Sequence, residues 1–138
     1  MRGKLAVAIG VAGLLAGAAP AWAHHAFAAE FDAKAPVHLE GVLTKLELIN
    51  PHSWIHVDVT DPDGHVTSWM VEAGSPNVLL RRGFNKNTIP VGTKVIVDGY
   101  QAKDGSKKAN GRDITLPNGQ KLFLGSSGTG APYDSTKK

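Results

Sequence analysis

Alternation of apolar and polar side chains is clearest over residues 53–60. There Ile55, Val57 and Val59 point one way while Trp54, His56 and Asp58 point the other, the period-two pattern of a half-buried strand. Residues 37–48 carry a similar pattern, with Val42, Thr44, Leu46 and Leu48 alternating against Leu43, Lys45 and Glu47, and Gly41 marking a bend or bulge. Ile49-Asn50-Pro51-His52 separates the two runs, since proline donates no ladder hydrogen bond and restrains the residue before it. Asp61-Pro62-Asp63-Gly64 predicts a tight turn, and residues 65–73 return as a partner strand with Val66 and Met70 on the side of Ile55 and Val57.

Residues 74–83 predict one short helix. Ser75 caps it, Pro76 fits its first turn, Arg81 and Arg82 suit its negative end, and Gly83 stops it. A further strand is expected over 93–102, a basic polar loop over 103–111, and a final pair over 112–116 and 121–124 around Pro117-Asn118-Gly119. The predicted fold class is all-β, a small five-stranded OB-like barrel with one short helix between strands 3 and 4. Such barrels bind on the face of strands two and three.

The ends read differently. Met1-Arg2-Gly3-Lys4 is a short basic start, residues 5–19 are apolar or small, and Pro20-Ala21-Trp22-Ala23 closes with an Ala-x-Ala cleavage site. This predicts a secretory signal over residues 1–23, a lead-in over 24–36, the barrel domain over 37–124 and a Gly/Ser/Thr-rich disordered tail over 125–138. The apolar run is too short to span a bilayer easily, and no membrane insertion is expected once it is removed. The expected location is periplasmic or secreted.

Composition narrows the function classes. The chain holds 15 Lys and Arg against 12 Asp and Glu, and two of the basic residues leave with the signal. About 115 near-neutral residues remain, enough for one domain and with no electrostatic pull toward nucleic acid. The absence of cysteine excludes thiolate metal sites and disulfides. No nucleophile elbow, phosphate-cradling loop or convincing pair of carboxylates is present, so an enzyme is not expected.

The candidate chemistry lies in histidine and tryptophan. Cleavage after Ala23 would make His24 the amino terminus, followed by His25, and an α-amine with its own imidazole can chelate a metal ion. Joined by His25, His52 or His56, it gives an all-nitrogen set suited to Cu(II). His52 and His56 are four residues apart, roughly 13 Å along a strand, too far to share one ion. Pairing Thr60 with His65 would set His56 opposite Trp69 and place Trp54, His56, Asp58 and Trp69 on one outward face. A one-residue slip would reverse this. Two tryptophans on that face need a cover: a ligand, a partner protein, or the lead-in through Phe27 and Phe31. Two readings follow. One is an exported protein holding copper or another divalent metal. The other is a metal-free module binding a small ligand or a periplasmic protein through Trp54 and Trp69.

The run from His24-His25-Ala26-Phe27 to Glu30-Phe31-Asp32 resembles bacterial exported proteins grouped as domain of unknown function 6152. So do Asn50-Pro51-His52-Ser53-Trp54, Trp69 with Glu72, Gly74-Ser75-Pro76-Asn77 and Arg81-Arg82-Gly83. The resemblance covers nearly the whole mature chain. It implies a small secreted β-rich domain, directs attention to His24, His25, His52 and Trp54, and supplies no catalytic residues.

Overall fold

Residues 27–125 and 129–133 are described by the computed structural model. A helical turn over residues 27–30 leads into β1 (Phe31–Glu47). Then come β2 (Ser53–Thr60), β3 (Val66–Ala73), α1 (Pro76–Arg81), β4 (Lys94–Ala102), β5 (Lys108–Thr115) and β6 (Lys121–Phe123). Strands pair in the order β3-β2-β1-β4-β5-β6, and a parallel β3–β5 contact closes β1 to β5 into a ring. This is the OB-like barrel expected from element order, with β6 added as a short hairpin partner to β5.

The length of β1 lets it serve both halves of the barrel, pairing with β4 up to Val42 and with β2 from Val42 onward. Gly41 sits at this crossing. A Cβ there would lie 2.4 Å from the Asp58 carbonyl oxygen, so no larger residue fits. A register shift between Leu43 and Lys45 then rephases the strand, so that Leu46, three residues beyond the buried Leu43, also packs against the core.

The main core gathers Leu43, Ile55, Val57, Val71, Val97 and Ile114 inside the ring, with Leu79, Phe84 and Ile89 closing one end. Helix α1 forms as its sequence suggests: the Ser75 hydroxyl accepts from the Val78 N–H, Pro76 opens the first turn, and Gly83 follows at φ 81°. A second apolar cluster joins Phe27, Phe31 and Ala102 to Ala131 and Tyr133.

Four expectations need correction. The β2–β3 register is shifted by one residue, so Trp54 faces Glu72, His56 faces Met70 and Val57 faces Trp69. The cause is the turn. Gly64 N–H donates to Asp61 O at 3.0 Å, Gly64 adopts φ 88°, and Asp61 N–H donates to His65 O at 2.9 Å. That is a type I turn followed by a glycine bulge, which makes Asp61 and His65 the closing pair and Thr60 the partner of Val66. Val66 and Met70 are therefore exposed, and Trp69 is only 8% exposed.

The loop expected over 103–111 ends early, because residues 108–111 belong to β5. Strand β1 begins at Phe31, inside the expected lead-in, where Phe31 pairs with Ala102. Within the expected disordered tail, residues 129–133 are described, with Ala131 and Tyr133 buried. Residues 129–133 dock because Ala131 and Tyr133 complete the second cluster, and the Tyr133 hydroxyl donates to Asn110 Oδ1 at 2.8 Å.

Candidate functional site

The outward face of β2 and β3 carries the unusual side chains. His52 lies just before β2, and its Nδ1 is 2.8 Å from Glu72 Oε1 on β3. When Glu72 is ionised it can only accept, so the ring then donates from Nδ1, and in the neutral form of His52 Nε2 keeps its lone pair. The Glu72 side chain is 13% exposed. Burial raises its pKa, opposed by the charge of His52 and reinforced by Glu30. Both side chains line a narrow cleft with Asn110, Gly125, Thr129 and Tyr133, roomy enough for about one water molecule.

His56 is held separately. Its Nε2 is 2.7 Å from Glu47 Oε2 on β1, and Lys45 Nζ is 2.7 Å from the other Glu47 oxygen. Lys45 first, and His56 second, hold the Glu47 carboxyl below its usual range. Asp58 accepts from the Ser68 hydroxyl at 2.6 Å. His52 and His56 thus each have their own carboxylate, with Trp54 between them on the strand. His65 is an open surface residue, and the exposed His38 bonds Asp98 at 2.6 Å.

The two tryptophans part company. Trp54 stays half-buried on the outward face. Trp69 turns into the core, where its ring packs among the barrel side chains and Lys107 Nζ lies 5.2 Å from its centroid. Phe27 and Phe31 do not cover Trp54. Phe27 packs on Phe31 and Tyr100, with ring centroids 5.8 and 5.6 Å away. Its N–H donates to Thr129 O at 3.3 Å, and Thr129 lines the His52 cleft. His24 and His25 lie outside the described residues.

Among the described residues, no group of three or more His, Cys, Asp or Glu side chains comes together to hold a metal ion. The residues that sequence reasoning passed over here are Glu47, Glu72 and Met70. Which β3 residues face His52 and His56 is set by the bulge at Gly64, which Asp61-Pro62-Asp63-Gly64 does not by itself specify.

Among solved structures, the chain is similar to the mitochondrial single-stranded DNA binding protein Rim1 of S. cerevisiae, at 15% identity. That match covers 60% of this chain and 94% of the other, with a TM-score of 0.46. Comparison with the curated proteins gives no match. A family model matches residues 11–111, most of the barrel included, and the chain belongs to that family, the family of unknown function DUF6152.

Proposed function

We propose that this protein is an exported, periplasmic metal carrier that holds Cu(II), or another divalent ion, between its processed amino terminus and His52. The supporting observation is the position of Phe27 beside Thr129 on the wall of the His52 cleft. His25 is two residues ahead of Phe27 and His24 three. A chain covers at most about 3.6 Å per residue, so the α-carbon of His24 stays within about 11 Å of that of Phe27. On this reading the amine and imidazole of His24 would have the cleft bordered by His52 as their nearest described surroundings.

His52 is prepared for such a role. Its Nδ1 proton is engaged by Glu72, which orients the ring and strengthens Nε2 as a donor, the usual carboxylate–histidine–metal arrangement. Amine, His24 and His52 nitrogens make a set that favours Cu(II). Among the barrel histidines, His52 is preferred to His56 because it borders the cleft that Thr129 lines. The metal-free alternative, a ligand face built from Trp54 and Trp69, is weakened because Trp69 faces the core.

Cu(II) titration followed by electron paramagnetic resonance on protein whose mass shows His24 first tests the reading. The expected result is one site with nitrogen hyperfine structure, weakened at least tenfold by His52→Ala and by one extra residue before His24. Unchanged affinity in the extended protein refutes it.

A further inference from the structure

We infer that His56 and Met70 form a separate site for a soft monovalent ion, Cu(I) or Ag(I), on the outward face of β2 and β3. The two residues are direct cross-strand partners. Side chains opposed in this way project to the same face with Cβ atoms about 4.5–5.5 Å apart, close enough for both to ligate one ion. Their neighbours Ile55, Val57, Trp69 and Val71 are buried, which fixes the pair on the outside.

Met70 is out of place by burial. It is 40% exposed on a strand whose other large apolar side chains, apart from Val66 at the turn, are inside. A flexible thioether there is not locked into the core, and it can turn its sulfur toward the opposite imidazole. His56 is the reverse, a ring held in one orientation. Its Nε2–H is given to Glu47, which is itself anchored by Lys45, and its Nδ1 keeps a lone pair.

Thioether and imidazole together select soft d10 ions. The Lys45 ammonium beside Glu47 neutralises the nearest carboxylate, so the local charge favours a monovalent ion over a divalent one. Trp54 completes the surroundings. It precedes His56 by two on the same face, and, opposite Glu72, stands diagonal to Met70, within reach of an aromatic ring. Its π face can cover a cation there.

The test exploits composition. The chain has two methionines, Met1 and Met70, and Met1 leaves with the signal, so processed protein labelled with [13C-methyl]methionine gives a single methyl resonance. Titration with Ag(I) should shift that resonance saturably at one equivalent. His56→Asn should abolish the shift, and Met70→Leu, a change at an exposed position, should lower Cu(I) affinity at least tenfold while leaving the Cu(II) spectrum unchanged. An extra residue before His24 should leave the methyl shift intact, which separates this site from the amino-terminal one. A resonance that does not move with Ag(I), or that moves equally in His56→Asn, overturns the inference.

Discussion

Replacing each of the two barrel tryptophans by alanine should produce very unequal losses. Trp69 is 8% exposed and packs against the main core, so Trp69→Ala removes a large buried ring and leaves a cavity the barrel cannot fully collapse. Truncations of this kind cost about 3–5 kcal/mol. In a domain of this size each kcal/mol shifts Tm by about 4–8 °C, so the drop should exceed about 12 °C. Trp54 is half-buried on the outward face, and Trp54→Ala should cost about 1 kcal/mol. The assay is urea unfolding followed by circular dichroism, since fluorescence would lose its probe, with a check that the denaturant slope is unchanged. Equal losses, or a larger one at Trp54, would mean that β3 pairs one residue away from the described register, and the placement of Met70 opposite His56 would fall with it.

Three further outcomes are expected. Burial raises the Glu72 pKa, so its contribution to stability is present below the usual glutamate range and is lost as pH rises through the raised value. Glu72→Gln should therefore gain Tm relative to the parent at pH 7 compared with pH 4, and a pH-independent difference would contradict this. Gly99→Ala should lower stability by about 1–3 kcal/mol, read as a fall in Tm, because its Cβ would lie 2.2 Å from the Asn110 carbonyl oxygen, backbone against backbone. Tyr133→Phe should cost about 1–3 kcal/mol in the same measurement, since Asn110, 5% exposed, loses the hydroxyl that Oδ1 accepts from.

Much of the barrel was legible because its strands obey a simple rule. Residues 53–60 alternate cleanly, and Ser75-Pro76 through Gly83 carry helix start and stop signals in order. What was misread depended on geometry that alternation does not encode. Trp69 was assigned to the wrong face because a four-residue turn signal does not by itself say whether glycine sits inside the loop or forms a bulge after it. The start of β5 was missed because residues 108–111 contain no apolar alternation. Ala109, Asn110 and Gly111 are buried there through close backbone approach, a Cβ at Gly111 meeting Val71 Cγ1 at 2.8 Å. At the site, the Glu72 and Glu47 partners of the histidines come from strands paired across the sheet, so they became visible only once the register was fixed.

The ring is sealed where β3 meets β5 along only three residue pairs, Met70 with Lys108, Val71 with Ala109 and Glu72 with Asn110. Every other join around the circumference is antiparallel and longer. If that short parallel seam parts, the barrel unrolls into a sheet with two unpaired borders, each a template for the same strand in another molecule. Damage to the seam would then announce itself as strand-exchanged dimers or precipitation before the antiparallel body melts.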